Sequence, residues 1–146
     1  MKMKDLSLYI HIPFCVRKCD YCDFFFSPAD EMTKEAYVQA LLLEIQSHAS
    51  EETADSKVKT IFIGGGTPTT LSAEQTASIL DKIRSVFLLK EDCEISMEMN
   101  PGSVTKEKCT SYFKEGVNRL SIGLQSPDDV LLKRLGRIHT YHDFLR

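Results

Sequence analysis

Three cysteines within eight residues are the feature of this sequence best suited to chemistry. Cys15, Cys19 and Cys22 are separated by three and two residues, whereas Cys93 and Cys109 stand alone. An odd number of cysteines argues against a complete set of disulfides. Clustered reduced thiols are more often metal ligands or catalytic groups than cross-links. The spacing therefore predicts a metal centre.

Three kinds of structure are compatible with this cysteine spacing. On a helix the three side chains would share one face, where they would form a small apolar stripe. Zinc accepts thiolates at such spacings but requires four ligands, and neither His11 nor Cys93 is well placed as the fourth. A [4Fe-4S] cluster takes three thiolates when one iron keeps an open position for a ligand. Arg17 and Lys18 lie inside this loop and could offset the negative charge of a cluster.

Alternating strands and helices must position the cysteines. Apolar or alternating runs predict strands over residues 6–12, 58–63, 93–97 and 118–123. Amphipathic patterns predict helices over residues 33–50, 105–115 and 127–135, and a capping box at Ser72 and Gln75 predicts one more. In the first helix we expect Thr33 to cap the start and Leu43 to widen the apolar stripe. The alternation is typical of an α/β fold with a parallel sheet, the front part of a longer barrel or sheet.

The other polar candidates all follow predicted strands. The cysteines follow the first strand, Gly64-Gly65-Gly66-Thr67 the second, Glu98 and Asn100 the third, and Gln125 the fourth. In a parallel barrel the carboxyl ends of the strands meet at one edge, where active sites lie. The sequence therefore predicts one composite site built from four loops.

Two of these motifs have simpler interpretations as well. The glycine run could be a tight turn, or it could let the backbone approach a ligand closely and expose several N–H groups. A phosphate-binding loop of the Walker type is excluded because no Gly-Lys-Ser or Gly-Lys-Thr follows. The strand alternation could point Glu98 to solvent instead of into a site.

Composition places the chain among ordinary soluble domains. Of its 146 residues 42% are hydrophobic and 27% are charged, and 18 basic against 21 acidic side chains give a formal net charge of −3. Such a balance provides no field for nucleic acid, and no apolar run approaches the roughly 18 residues that span a bilayer. We expect a cytosolic protein, a single domain or a piece of one, with no nucleic-acid partner and no transmembrane segment.

The motifs together resemble a known family. Cys15-Val-Arg-Lys-Cys19-Asp-Tyr-Cys22 is similar to the cysteine motif of the radical S-adenosylmethionine (SAM) superfamily. The wider set resembles the branch that contains oxygen-independent coproporphyrinogen III oxidase and the haem chaperone HemW. Its motifs here are Tyr9-Ile-His-Ile-Pro-Phe-Cys15, Gly64-Gly-Gly-Thr-Pro-Thr69, Glu98-Met-Asn-Pro101 and Asn118-Arg-Leu-Ser-Ile-Gly-Leu-Gln-Ser126.

The resemblance implies a fold, a pair of cofactors and a set of site residues. The fold would be the N-terminal part of a partial (β/α)6 TIM-like barrel. Cys15, Cys19 and Cys22 would hold a [4Fe-4S] cluster whose open iron binds the amino and carboxylate groups of SAM. Reduction of SAM by the cluster would break a carbon–sulfur bond. The positions that match SAM contacts are Tyr9, Tyr21, Gly65, Gly66, Thr67, Glu98, Gln125 and Arg137. Arg119 and Ser121 also match motif residues, but polar groups on barrel strands are frequently structural.

One departure from the pattern bears on function. Oxidases of this branch read Cys-Gly-Cys at the third cysteine, where this chain has Cys22-Asp23-Phe24. This favours the HemW type, which binds haem and delivers it to haem-accepting proteins. The alternatives are the oxidase, an oxidoreductase of porphyrin biosynthesis, and a zinc-stabilised binding module. We expect residues 1–146 to be the N-terminal portion of a radical SAM core domain, with the haem site downstream of residue 146. A homodimer of the full-length protein is compatible with this interpretation.

Overall fold

The computed structural model describes residues 3–50, 53 and 55–146. Four parallel strands form one sheet in the order β1 (Lys4–Ile12), β2 (Ser56–Gly65), β3 (Leu88–Met99) and β4 (Arg119–Ile122). The predicted alternation and the parallel sheet are therefore confirmed. The helices described are α1 (Glu31–Ser47), a 3₁₀ turn (Pro68–Thr70), α2 (Ala73–Val86), α3 (Lys106–Lys114), α4 (Asp129–Arg134) and α5 (Tyr141–Leu145). In the part of the chain that the structure describes, no helix combines the length and apolarity needed to cross a membrane.

Helices cover one face of the sheet and bury the core there. Along β1, Ile10 and Ile12 are buried while the intervening His11 is only half-buried, as expected for a strand with one face on the core. The buried stripe of α1 consists of Val38, Leu41 and Ile45. Leu43 does not belong to it, because a residue two positions from Leu41 points about 200° away around the helix. Its side chain is 74% exposed, and its predicted place in the stripe is wrong.

The first helix also begins earlier than its sequence pattern indicated. The N-cap of α1 is Asp30, whose carboxylate accepts a hydrogen bond from the backbone N–H of Thr33 at 2.8 Å. Thr33 is therefore the third helical residue and not the cap. The capping box that Ser72 forms with Gln75 at the start of α2 is confirmed. The difference arises because Asp and Thr are both good caps, and tertiary packing decides which one starts the helix.

The other face of the sheet is polar and aromatic. Thr60 donates a hydrogen bond to Ser7 on the neighbouring strand at 2.9 Å. Arg119 donates to the hydroxyl of Ser96 at 3.1 Å and pairs with Glu94 at 3.6 Å. These contacts lie below the carboxyl ends of the strands, so Arg119 belongs to a polar layer on this face of the sheet. Its contacts support a structural role for Arg119.

Candidate functional site

A cavity of about 330 Å³ lies at the carboxyl edge of the sheet. The loops after all four strands contribute to its wall, as expected for a composite site at this edge. Among its lining residues are Cys15, Cys19, Cys22, Tyr21, Gly65, Gly66, Thr67, Glu98, Gln125 and Arg137. The structure thus brings together every site residue expected from the sequence except Tyr9.

Tyr9 lies on β1 outside this cavity. Its ring packs on that of Phe62 with centroids 6.1 Å apart, and its hydroxyl is hydrogen-bonded to Nδ1 of His11 at 3.0 Å. Burial raises the pKa of Tyr9, and so does the negative charge of Glu98. The phenol therefore lies within electrostatic reach of the cavity wall, and its contact with SAM stays a prediction.

The glycine run at the end of β2 is required by close packing. Gly65 has a φ of +111°, and a Cβ atom there would lie 2.6 Å from the ring of His11. A Cβ atom on Gly66 would lie 2.7 Å from the carbonyl oxygen of Phe14 and 3.0 Å from Sγ of Cys15. Any larger residue would push this loop away from the cysteines.

The backbone donors of the same loop are already used within the protein. The N–H of Gly65 donates to Oε2 of Glu98 at 3.1 Å. Those of Gly66 and Thr67 donate to the carbonyl groups of Ile12 and Phe14 at 2.8 and 2.7 Å. The expectation that the run exposes several N–H groups to a ligand is therefore wrong for these three residues. The loop instead offers a backbone that approaches the cysteines closely.

Glu98 faces the site and not the solvent. It is half-buried at the end of β3, where its carboxylate accepts the hydrogen bond from Gly65. A Cβ atom on Gly64 would lie 2.8 Å from the same carboxylate oxygen, so the absence of a side chain there makes room for it. A half-buried carboxylate on a cavity wall is suited to accept hydrogen bonds from amino or hydroxyl groups of a ligand.

All five cysteines are free, and the three clustered ones are half-buried around the cavity. Sγ of Cys15 is hydrogen-bonded to Oγ1 of Thr67 at 3.3 Å, and Nη1 of Arg137 donates to Sγ of Cys19 at 3.4 Å. Burial raises the pKa of the Cys15 thiol, and the hydrogen bond from Thr67 opposes that shift. Two of the three sulfurs thus already have a polar partner suited to a thiolate.

The cysteine loop is held against the end of α4. The backbone N–H of Asp20 donates to the carbonyl oxygen of Leu135 at 3.1 Å. The next residue, Gly136, has a φ of +72°, and a Cβ atom there would lie 3.0 Å from the carboxylate of Asp20. A glycine is therefore needed where α4 meets the loop.

The donor set fits a cluster better than a single ion. Among residues 3–50, 53 and 55–146, no three His, Cys, Asp or Glu side chains converge closely enough to hold one metal ion. Zinc requires four ligands at about 2.0–2.3 Å from one point. A four-iron cluster is several atoms wide, so its ligand sulfurs line a cavity without converging. Cys93 packs in the hydrophobic core and is not available as a fourth zinc ligand.

Arg137 links the cysteine loop to the other strand ends. Its Nη2 donates to Oδ1 of Asn100 at 2.6 Å and to the carbonyl oxygen of Gly123 at 2.7 Å, and its Nη1 lies 3.5 Å from the hydroxyl of Tyr21. Its Nε is buried and has no acceptor in the described part of the chain. The carboxylate of a ligand would satisfy this donor, and the site therefore also fits SAM.

Backbone strain marks the loop after β4. Gln125 has a φ of +70°, and it is the one non-glycine residue with a positive φ in the described part of the chain. Such strain is concentrated at functional sites, where the surrounding structure holds it in place. Its position on the cavity wall supports a functional assignment.

Asn100 is the functional candidate whose role sequence reasoning missed. Its position at the rim was expected from the sequence, but no role was predicted for its side chain. The structure places its side-chain amide between Arg137 and Thr67, with Nδ2 donating to Oγ1 of Thr67 at 2.9 Å. The available signal was its occurrence two residues after Glu98, within the motif of the third strand end.

The sequence matches the family described as the Radical SAM superfamily over residues 9–146. It is 48% identical over 140 residues to "Heme chaperone HemW" of Escherichia coli K12, a match that covers 95% of this chain and 37% of that protein. The corresponding HemW of Haemophilus influenzae is 42% identical over 142 residues, which are 94% of this chain and 37% of that protein. The chain thus spans about 37% of the length of these curated relatives.

Solved structures agree with the sequence matches. Coproporphyrinogen III oxidase (HemN) from Escherichia coli, described as a Radical SAM enzyme, superposes with a TM-score of 0.89 at 31% identity over 99% of this chain and 33% of that one. The archaeal Elp3 of Methanocaldococcus infernus shares the fold alone, with a TM-score of 0.59 at 14% identity over 99% of this chain and 34% of that one. These matches confirm the resemblance to HemW and HemN-like proteins. The chain belongs to the radical SAM superfamily.

Proposed function

We propose that this chain carries the cluster and SAM site of a HemW-type protein, which binds haem and delivers it to haem-accepting proteins. The observation that carries the proposal is a single cavity in which three free cysteines meet the loops of all four strands. Such a set of loops at the carboxyl edge of parallel strands is typical of a cofactor site.

Cys15, Cys19 and Cys22 would hold the [4Fe-4S] cluster. When bound, the cluster supplies a low-potential electron to the sulfonium group of SAM. Thr67 and Arg137 provide polar partners to two of the three sulfurs. Hydrogen bonds of this kind orient ligands and stabilise their negative charge.

SAM would lie across the rest of the cavity wall. Glu98 would accept hydrogen bonds from its donor groups, and the buried Nε of Arg137 would donate to its carboxylate. The close approach of Gly66 to Cys15 keeps this wall next to the cluster. The remaining proposed contacts are Tyr9, Tyr21, Gly65, Thr67 and Gln125.

The HemW assignment is supported by the loop after the third cysteine. Asp23 and Phe24 occupy the positions where the oxidases of this branch have Gly and Cys. Several bacterial relatives at 40–48% identity are named as haem chaperones. The oxidase is the second candidate, because the HemN structure matches this chain with a TM-score of 0.89.

One experiment separates these two candidates. The full-length protein is reconstituted anaerobically with iron and sulfide, and the same sample is then assayed for stable haem binding and for decarboxylation of coproporphyrinogen. We expect haem binding without decarboxylation. Decarboxylation without stable haem binding would assign the oxidase activity instead.

A second experiment tests the SAM site. Glu98→Gln removes the carboxylate charge, and Glu94→Gln is the matched control because Glu94 lies four residues earlier on the same strand and outside the cavity. A hydrogen bond to a charged group contributes about 1.5–3 kcal/mol, so SAM affinity should fall about tenfold to a hundredfold in Glu98→Gln alone. Calorimetry with the reconstituted protein measures the SAM affinity of both variants. Equal affinities in the two variants would contradict the role of Glu98.

The same proposal covers the organisation and location of the protein. We propose that residues 1–146 are the N-terminal portion of a radical SAM core domain, in line with their share of about 37% of the relatives' length. The haem site would then lie outside this segment. A cytoplasmic location is proposed because a reducing compartment keeps clustered thiols free for a metal.

A further inference from the structure

A chain of hydrogen bonds joins two of the clustered cysteines through three other loops. Nη1 of Arg137 donates to Sγ of Cys19 at 3.4 Å, and Nη2 of the same guanidinium donates to Oδ1 of Asn100 at 2.6 Å. Nδ2 of Asn100 donates to Oγ1 of Thr67 at 2.9 Å, and that hydroxyl lies 3.3 Å from Sγ of Cys15. Asn100 is the central member of this chain and itself touches no cysteine sulfur.

The chemistry of the groups sets the direction of both bonds made by the Asn100 side chain. A guanidinium only donates, so the acceptor oxygen of the Asn100 amide must face Arg137, and its NH₂ group must face Thr67. The Thr67 oxygen accepts from that NH₂ group, and toward a Cys15 thiolate, which carries no proton, the Thr67 hydroxyl can only donate. We infer that Asn100 is a positioning residue that directs the donors of Thr67 and Arg137 at the two cysteine sulfurs.

The surroundings of Asn100 hold its amide in this orientation. Its backbone carbonyl oxygen accepts a hydrogen bond from the N–H of Ser103 at 3.1 Å. Gly123 lies close to the side chain, since a Cβ atom there would be 3.0 Å from Oδ1 of Asn100 and 3.4 Å from Nη2 of Arg137. The carbonyl oxygen of Gly123 also accepts from Arg137 at 2.7 Å. The amide and the guanidinium are therefore positioned by the third and fourth strand ends together.

The consequence for the cluster rests on the proposed function. Reduction adds negative charge to the cluster and its thiolates, and hydrogen-bond donors at the sulfurs stabilise that charge. Asn100 therefore keeps the reduction potential higher than the cysteines alone would. Without its amide, the Thr67 hydroxyl loses the bond that positions its oxygen beside Cys15, and Arg137 loses its shortest hydrogen bond.

The test uses neutral variants, because a new charge would shift the potential by itself. Asn100→Leu and Thr67→Val should each move the reduction potential of the reconstituted protein to more negative values, measured by a redox titration followed by electron paramagnetic resonance. Because Asn100 acts partly through Thr67, the double variant should shift by less than the sum of the two. An unchanged potential in Asn100→Leu, or strictly additive shifts, would overturn the inference.

Asn118→Leu is the matched control. The Asn118 amide, directly before β4, is bound to β3 in the same way: it accepts from the N–H of Ile95 and donates to the carbonyl oxygen of Cys93, both at 2.9 Å and away from the clustered cysteines. We expect this variant to lose stability while its potential stays at the wild-type value. A shift equal to that of Asn100→Leu would mean that general loosening, and not positioning, is responsible.

A measurement without the cluster separates this inference from the proposed function. In the cluster-free protein the amide of Asp20 is held by Leu135 and that of Cys22 by Cys19. Hydrogen exchange at these two amides should be about tenfold faster in Asn100→Leu and unchanged in Asn118→Leu. If the unmodified protein takes up no cluster, the proposed function fails, whereas equal exchange rates in Asn100→Leu and the unmodified protein would refute the role of Asn100.

Discussion

Replacing Gly66 with alanine should separate the glycine loop from the cysteine loop. The new methyl group would lie 2.7 Å from the carbonyl oxygen of Phe14, 3.0 Å from that of Ile12 and 3.0 Å from Sγ of Cys15. Two of these neighbours are backbone atoms that cannot move as a flexible side chain does. The two carbonyls are also the acceptors for the N–H groups of Gly66 and Thr67, so the clash breaks or lengthens both hydrogen bonds.

The expected loss of stability follows from those two bonds. A backbone hydrogen bond contributes about 1 kcal/mol net, and a buried group left without a partner costs about 1–3 kcal/mol. We therefore expect Gly66→Ala to lower the free energy of unfolding by about 3 kcal/mol, a factor of roughly a hundred in the folding equilibrium. The measurement is denaturant unfolding of the cluster-free protein, in which the midpoint falls while the slope stays constant.

Gly102→Ala provides the control for this prediction. Gly102 has a φ of +72°, but the nearest heavy atom to a Cβ there is 4.0 Å away, so the substitution strains the backbone without a clash. Its cost should be about 1 kcal/mol. If Gly66→Ala destabilises the protein no more than Gly102→Ala does, the reasoning from close packing is refuted. Because Cys15 is one of the clashing groups, Gly66→Ala should also retain less iron after reconstitution.

Three further predictions concern the cysteines, a buried phenol and the first helix. Cys15→Ala should lose the iron and sulfide of the reconstituted protein and Cys109→Ala should keep them, as measured by metal and sulfide analysis; loss in Cys109→Ala would contradict the three-ligand assignment. Burial raises the pKa of Tyr112, so the native state favours the neutral phenol and stability falls as the pH rises above the ordinary value of 10.0. Unfolding curves at pH 8 and pH 11 should show a smaller fall in Tyr112→Phe, and an equal fall in both proteins would contradict the assignment. Val38→Ala should cost about 1–2.5 kcal/mol because Val38 is 1% exposed, whereas Leu43→Ala should stay within about 0.5 kcal/mol; equal costs in thermal melts would be inconsistent with the helix orientation.

The strands and helices of the fold follow from the periodicity of the sequence. The wrong predictions arise where two residues of one segment are both suited to the same role. Strand and helix patterns along one chain identify the parallel sheet, because each pattern has its own repeat. Asp30 and Thr33 are both suitable caps, so only the packed helix decides between them. Leu43 is apolar, as the buried stripe of α1 requires, but its angular position on the helix places it outside that stripe.

The sequence predicts which loops form the site but not the hydrogen bonds that join them. The cysteine spacing and the order of the motifs indicate which residues line the cavity. They do not indicate that the N–H groups of Gly66 and Thr67 donate to the carbonyls at and just after the end of β1, because these acceptors lie some fifty residues away in the chain. The partners of Asn100 are also distant in the chain, at 33 and 37 residues, since its amide joins loops that follow the second strand and α4.

The contact between the cysteine loop and the end of α4 has a consequence for biosynthesis. Arg137 and Cys19 are 118 residues apart, so the partner of that sulfur is made long after the cysteines themselves. At about 5–20 residues per second, roughly ten seconds pass between the synthesis of the two. Until α4 is in place, the hydrogen bond from Asp20 to Leu135 does not exist and the loop lacks this anchor. The nascent cysteines are therefore exposed to oxidants and to other metals during this interval, and delivery of the correct metal is best timed after the fourth strand and α4 have folded.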